Sequence, residues 1–441
     1  MMNPVTNHPL DQLLRESGYS NGALARQVNA ALKGTTSYDK STVYRWLRGS
    51  CPAPDVLHAL AGVFGHRLGR PVAEADLGFG PRVAVLETTL TLPTSVGATV
   101  EAATGLWRLL VHRRDLLLGG ATTAAASPTA VFGWHFTPDD RTTERAGAST
   151  RVSADIEALH LARTRFTQQD CEQGGGMTHP WLSAYLDRHL APLLNGSYTD
   201  PVGRELFPAA AQLTELCGHM LYDAGAHGAA QRQFILALRM AKAARDRAFA
   251  AHVISSLATQ AVFQRRGHDA VQLARAGVTA AGNHAPPASL ARLYGVEARG
   301  HALTLDEPEA RRALADADNH LEHIGGDDSA RFASYTPTHH AGTVMHTLRD
   351  LGHAREAARH LDDVLRPTPG RLRAGALHRV LAASVLLRLR EDEHACRLAA
   401  HVIAGSRVDS SRLRARLTEF NTEAARTHTP ATRDYLEALR A

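Results

Sequence analysis

The chain reads Asp39-Lys40-Ser41-Thr42-Val43-Tyr44-Arg45-Trp46-Leu47-Arg48-Gly49 near its N-terminus. At the 100° per residue of an α-helix, this run separates into two opposed stripes. The apolar stripe, which can pack, comprises Val43, Trp46 and Leu47. The opposite stripe carries hydroxyls and positive charge and comprises Ser41, Arg45 and Arg48, with Thr42 and Tyr44 at its margin. A short helix of this kind suits the DNA major groove, where a guanidinium group can donate two hydrogen bonds to guanine and small hydroxyls can contact base edges.

The segments on either side of this run predict further short helices. A first helix ends at Gly18 and buries Leu10, Leu13 and Leu14. Ser20 can cap a second helix that buries Leu24, Ala25, Val28 and Leu32, and a polar turn follows at 33–38. After the prolines at 52 and 54, a further helix buries Val56, Leu57, Leu60, Ala61 and Phe64. A helix-turn-helix domain requires four or five short helices, of which the third exposes a polar face.

These residues resemble the phage-repressor-like (XRE-type) helix-turn-helix domains. The resemblance lies in Ser20, Leu24, Ala25 and Val28, in the run Ser41 to Gly49, and in Pro52, Leu57, Leu60 and Ala61. The turn between the second and third helices is several residues longer than is usual in that family. The resemblance places Lys40, Ser41, Thr42 and Arg45 at base-contacting positions and Arg48 at a phosphate contact. The candidate DNA-binding residues are therefore Lys40, Ser41, Thr42, Tyr44, Arg45 and Arg48. The alternative is a surface helix whose arginines are simply solvated.

Length and composition predict several helical units. At 441 residues the chain exceeds one ordinary domain, so two or three units are expected. Hydrophobic residues make up 44% but aromatic residues only 5%, which indicates alanine and leucine packing between helices and an all-α fold. Of the 49 basic residues 46 are arginine, a bias typical of a GC-rich genome, so the net charge of +5 alone does not indicate a polyanion-binding surface.

The charge of the N-terminal segment is more informative than the total. Residues 1–70 carry eight Lys or Arg against four Asp or Glu. This modest excess favours a homodimer, because two copies double the contacts with phosphates.

Several classes of function lack support in the sequence. The four cysteines are scattered, no apolar run is long enough for a membrane span, and no secretory leader is evident, so we expect a cytoplasmic protein without zinc. P-loop, H-E-x-x-H and G-x-S-x-G motifs are missing, so we expect neither an enzyme nor a cofactor. Two histidine groups could hold a cation, although solvated or capping histidines are the simpler interpretation: His339, His340 and His346, and His320 with His323.

The C-terminal half repeats small and large apolar residues at the offsets of a tetratricopeptide (TPR) repeat. The first unit comprises Gly218, Leu221, Gly225, Ala230, Phe234 and Ala237. The anchor alanines at 230, 270, 310, 357 and 395 recur after 40, 40, 47 and 38 residues. The pattern predicts a TPR-like α-solenoid with a concave face, and the alternative is a set of ordinary helical hairpins in a bundle.

The predicted organisation has three parts: a helix-turn-helix domain over 1–80, a helical segment and linker over 81–150, and the repeats over 151–441. Within the middle part, a helix is expected from about Ser95 to Leu117, followed by a mobile linker or long loop over 119–150. The run Gly174-Gly175-Gly176 is interpreted as a flexible break.

The whole arrangement is similar to the actinomycete regulators that combine a helix-turn-helix domain with TPR repeats. The middle of the chain carries this resemblance through Leu106-Trp107-Arg108, Arg113-Arg114, Leu221 to Gly225, and Gln231-Arg232. It implies a transcriptional regulator of differentiation or secondary metabolism, whose repeats dimerise and sense a peptide, small molecule or protein. A peptide receptor is disfavoured because residues 211–400 contain only two asparagines. The alternative function is a TPR interaction scaffold whose helix-turn-helix fold does not bind DNA.

Overall fold

The computed structural model describes residues 7–32, 37–48, 50, 52–72, 74–79, 89–112, 122–145, 152–282, 285–324, 335–405 and 407–440. Over these residues the secondary structure is helical, without strands, and an isolated antiparallel bridge joins Arg145 to Tyr198. The predicted all-α class is therefore confirmed. Every helix in the described part is too short or too polar to span a lipid bilayer.

The N-terminal helices are α1 His8–Ser17, α2 Asn21–Leu32, α3 Lys40–Leu47 and α4 Pro54–Leu68, followed by a 3₁₀ turn at Glu74–Leu77. Their predicted apolar residues pack in one cluster whose members all lie between residues 10 and 79, and all of them are buried except Leu32, which is half-buried at its edge. The predicted boundaries are also confirmed, because Gly18 ends α1 in the left-handed region and the hydroxyl of Ser20 accepts from the N–H of Ala23. Residues 33–36 of the predicted turn, Gly49 and Cys51 lie outside the described residues.

Four helices and a short extension precede the repeats. They are α5 Val96–His112, α6 Ala126–Phe136, α7 Val152–Gln173, α8 Gly175–Tyr185, and, after a π-helical turn at Leu186–Leu190, α9 Ala191–Asn195. The helix expected from Ser95 is present up to His112, while its predicted Leu117 lies outside the described residues.

The linker predicted over 119–150 is wrong for its central part. Residues 126–136 form α6, which packs against the repeats and buries Ala130 and Trp134. The loop before α6 is fixed as well, because the backbone N–H and carbonyl of Thr123 both hydrogen-bond to the side chain of Gln231, at 2.9 and 2.8 Å. Residues 119–121 and 146–150 lie outside the described part.

The flexible break predicted at Gly174-Gly175-Gly176 is also wrong. Gly174 adopts a positive φ of 85°, and a Cβ on Gly175 would lie 2.1 Å from the carbonyl oxygen of Met220. The N–H of Gly176 donates to the carbonyl of Asp409 at 3.0 Å. The three glycines are therefore a site of close packing, where side chains would not fit.

The described residues from 200 onward form six helical hairpins, which we call the hairpin array. The first three are α10 Asp200–Asp223 with α11 His227–Ala243, α12 Arg247–Phe263 with α13 Gly267–Ala281, and α14 Pro287–Leu303 with α15 Glu307–Leu321. The fourth is α16 Pro337–Asp350 with α17 Ala354–Ala357, a 3₁₀ turn at Ala358–His360 and α18 Leu361–Leu365. The last two are α19 Leu372–Arg388 with α20 Asp392–Gly405, and α21 Ser411–Ala425 with α22 Pro430–Ala438. Each hairpin packs on the next one along the chain.

The sequence repeat corresponds to the hairpins. All five anchor alanines lie on the second segment of a hairpin, and each is completely buried. The turn within each hairpin has one residue with φ between 55° and 90°: Gly225, Arg265, Leu305, Gly352, Arg390 and His428. A solenoid of the TPR type stays a prediction.

The first helices of the last two hairpins contact α7 and the first hairpin. The guanidinium of Arg373, at the start of α19, donates to both carboxylate oxygens of Asp170 in α7 at 2.5 and 2.6 Å. Arg412 and Ser410, at the start of α21, both donate to Asp223 at 2.8 Å. We call these five residues the closing cluster. Its bonds span 150 to 203 residues of sequence, so the starts of the last two hairpins are tied to α7 and to the end of α10.

Candidate nucleic-acid interface

Helix α3 is held in the N-terminal domain by one face and exposes the other. Val43, Trp46 and Leu47 are 0%, 4% and 6% exposed, as the apolar stripe predicts. The candidate residues on the opposite side are all exposed except Thr42, which is half-buried: Lys40, Ser41, Thr42, Tyr44, Arg45 and Arg48. The structure therefore brings the six predicted residues together, five of them on α3 and Arg48 at its C-cap, and their contact with DNA stays a prediction.

The N-terminus of α3 is capped by Asp39, which the sequence prediction missed. Its carboxylate accepts from the backbone N–H of Thr42 at 2.9 Å and from the hydroxyls of Ser41 and Thr42 at 2.7 and 2.9 Å. Hydrogen bonds from Ser41, and then from Thr42, lower the pKa of Asp39 to about 2. At neutral pH the carboxylate is charged, and both hydroxyl protons point towards it.

The arginines are oriented by their neighbours on the same helix. Arg45 Nη2 donates to the hydroxyl of Thr42 at 3.1 Å, which directs the guanidinium towards the N-terminal end of α3. The guanidinium of Arg48 lies 5.9 Å from the centre of the Tyr44 ring, within the range of a cation–π contact. Two separate pairs therefore set the direction of the two charges, and the bond to Thr42 uses one of the five N–H groups of Arg45.

The long turn before α3 is fixed by a side chain of α2. The amide of Asn29 donates to the carbonyl of Tyr38 and accepts from its N–H, both at 2.8 Å. The Tyr38 ring in turn packs on the buried Trp46, with ring centres 5.6 Å apart. Asn29 thus positions the start of α3 despite the extra residues in the turn.

Two residues that organise this surface were not identified from the sequence. Asp39 could have been found, because an aspartate three residues before Thr42 is a typical capping pattern. Asn29 could not, since its partner is a backbone group nine residues away and a polar residue on a helix carries no signal of that contact.

The histidines do not form a metal site in the described part of the chain. His340 hydrogen-bonds Tyr335 at 2.8 Å and Asp318 at 2.6 Å, and His320 stacks on Tyr294 with ring centres 5.5 Å apart. Groups of three or more residues suited to holding a metal ion are not found among the described residues.

Comparison with known proteins gives one finding for this region. A family model described as the SP15 N-terminal domain matches residues 10–80, the segment that contains the helices just described. None of the curated proteins compared with the chain matches it.

Proposed function

We propose that this chain is a sequence-specific DNA-binding transcriptional regulator. The observation that supports the proposal is the composition of one exposed helix face, where hydroxyls, a lysine and two arginines lie together and the opposite face is sealed in a core. A helix of eight residues with this face has the size and chemistry to enter the major groove.

The hydrogen bonds within this face indicate what it can distinguish. The Ser41 hydroxyl donates its proton to Asp39, so its oxygen is left as an acceptor. Acceptors in the major groove recognise the amino groups of adenine and cytosine. Arg45 supplies the donors that recognise guanine. We therefore expect a half-site that combines a guanine with an adjacent adenine or cytosine.

A homodimer is part of the proposal. The N-terminal segment has a small excess of basic residues, eight against four over residues 1–70, and one copy makes few phosphate contacts. Two copies reading half-sites about 34 Å apart would double those contacts. The hairpin array would supply the dimer contacts and a sensing site, so a ligand can change the spacing of the two reading helices.

Selection of genomic fragments by the full-length protein, followed by sequencing, tests DNA binding and gives the half-site spacing. With the selected site, Arg45→Ala should weaken binding about 5- to 150-fold and relax the base preference at one position, the loss expected for a bidentate contact. Arg48→Ala should weaken binding to all DNA sequences equally and should reduce the slope of log binding constant against log salt concentration by about one.

Arg397→Ala, an exposed arginine of α20, is the matched control and should bind as the unchanged protein does. If no fragment is enriched, or if both substitutions in α3 leave the affinity unchanged, the DNA-binding proposal is wrong. The scaffold function would then be preferred.

A further inference from the structure

Two phenylalanine rings project from the surface of α6 beside an apolar recess. Phe132 and Phe136 are 65% and 67% exposed, the highest values for aromatic side chains among the described residues. Their ring centres lie 4.4 Å apart, so the two rings form one projection. They also form one wall of a recess of about 310 Å³, whose opposite wall is the face of α13 that carries Leu273, Ala276 and Ala280. We call the two rings and this recess the α6–α13 face.

The composition of the α6–α13 face is typical of the centre of a protein interface. Among the described residues that line the recess, none is Asp, Glu, Lys or Arg, although these four types make up 21% of the chain. Interface centres are depleted in charged residues and enriched in aromatic ones. Contiguous apolar patches on a surface mark sites of interaction. The face is therefore a candidate for contact with another macromolecule.

The shape of the face is complementary to itself, because a projection and a recess lie side by side on adjacent helices. In a dimer with two-fold symmetry the same surface patch lies on both copies, so the projection of each copy can meet the recess of the other. A phenylalanine offers about 150–250 Å² when fully covered, so the exposed parts of these two rings come to about 200–300 Å² per copy. This area is about a third of the roughly 800 Å² per partner that a standard interface buries.

The connection to the N-terminal domain ends beside this face. Leu92 packs on α6 next to Gly133, three residues before Phe136. Phe79 is the last described residue of the N-terminal domain and Thr89 is the first after it, so the chain between them spans at most about 36 Å. A two-fold axis at the α6–α13 face therefore keeps both N-terminal domains close to the axis, within reach of half-sites about 34 Å apart. An interface on a more distant surface would separate them further.

We propose that the α6–α13 face binds a second copy of this chain and forms a symmetric dimer, in which Phe132 and Phe136 of each copy pack in the recess of the other. The self-complementary shape and the position of the connection to the N-terminal domain favour a second copy over an unrelated protein or a small apolar ligand. The use of this dimer to space two reading helices rests on the proposed DNA-binding function, but self-association does not.

Sedimentation velocity of the full-length protein without DNA, over a range of concentrations, tests the face. The unchanged chain should be a dimer at micromolar concentration. Phe132→Ala and Phe136→Ala should each raise the dimer dissociation constant about 100-fold or more, because burial of one ring contributes about a factor of ten and a symmetric interface loses two rings. Both rings are exposed in the single chain, so the circular dichroism spectra of the two variants should match that of the unchanged protein.

Leu161→Ala is the matched control, because Leu161 is a 53% exposed apolar residue on a different helix, α7. It should leave the dissociation constant unchanged. The proposal is overturned if the unchanged chain is monomeric at micromolar concentration, or if both phenylalanine variants associate as tightly as the unchanged chain. It is also overturned if Leu161→Ala weakens the dimer to the same extent.

Operator binding is a separate readout. With the selected operator, Phe132→Ala should bind a single half-site as the unchanged chain does and should lose most of its preference for the paired site. If no operator is found, the sedimentation result still decides whether the face binds a second copy, so a failure of the DNA-binding proposal is distinguishable from a failure of this one.

Discussion

Replacing Arg373 with methionine should strongly destabilise the hairpin array. Arg373 makes two short hydrogen bonds to Asp170 and lies 3.4 Å from Asp223, and the side chains of these two aspartates are 4% and 0% exposed. Burial disfavours the charged form of Arg373, but Asp170 and Asp223 outweigh it and raise its pKa. The arginine is thus the main counter-charge for two carboxylates that solvent barely reaches.

The size of the effect depends on the hydrogen bonds that each aspartate retains when Arg373 is replaced. Asp223 retains Arg412 and Ser410 at 2.8 Å and the N–H of Gly175 at 2.9 Å. Asp170 loses both hydrogen bonds from Arg373. Its other neighbour, His219, lies 3.9 Å away and is neutral at pH 7 because its pKa is about 3. One buried carboxylate is therefore left without compensation, which costs about 3–5 kcal/mol of unfolding free energy.

Urea unfolding followed by circular dichroism at 222 nm measures this loss in the full-length chain. The double variant Asp170→Asn with Arg373→Met removes the charge as well, so it should recover part of the stability, with a coupling of about 0.5–3 kcal/mol. Arg397→Met, whose ion pair with Glu393 is exposed on both sides, should change stability by less than about 0.5 kcal/mol.

The reasoning is refuted if Arg373→Met unfolds at the same urea concentration as Arg397→Met. It is also refuted if adding Asp170→Asn lowers stability further, since a neutral amide cannot need a counter-charge.

Three further outcomes are expected. Asn29→Ala should lower the free energy of unfolding by about 1–3 kcal/mol, because backbone groups of the turn are left unsatisfied, and it should weaken operator binding in gel-shift assays. Gln27 is exposed on the same helix, so Gln27→Ala should change neither quantity. Gly175→Ala should lower stability by about 1–3 kcal/mol in the same urea assay, because its Cβ would meet a backbone carbonyl of α10 at 2.1 Å. Acid should destabilise the array: burial lowers the pKa of His219 to about 3 and of His378 to about 4, so below pH 6.5 the unfolded chain takes up protons that the native chain does not. At pH 5.5 each histidine then costs about 1 kcal/mol relative to neutral pH, and a melting temperature that does not fall between pH 7.5 and 5.5 would contradict this.

The sequence predicts those parts of the fold in which one helix face is apolar and the other polar. Val43, Trp46 and Leu47 repeat at helical spacing, and the anchor alanines recur because two helices approach closely at each of them. Helix α6 was not predicted because it is apolar on both sides. Ala130 and Trp134 are buried, whereas Phe132 and Phe136 are 65% and 67% exposed, so no amphipathic period marks the segment.

Long-range polar contacts could not be predicted either. A charged residue in a helical pattern is usually solvated, and the composition around Asp170 or Arg373 gives no sign that they meet across 203 residues. The candidate DNA-binding residues were easier to predict, since all six lie on α3 or at its C-cap. The cap formed by Asp39 could also have been found from the sequence, whereas the contact of Asn29 with the turn before α3 needed coordinates.

Closure gives the array a fixed length. In an open stack of repeats each unit depends only on its neighbours, so end units can be deleted or duplicated at modest cost. Here the start of α21 supplies partners to the end of α10, so truncation before residue 410 would strip Asp223 of a cation and a hydroxyl more than 180 positions upstream. Insertion of one extra hairpin would separate the same groups. The hydrogen bonds to Asp223 thereby constrain the number of hairpins between α10 and α21, and C-terminal truncation is expected to destabilise the first hairpin as well as to remove the last.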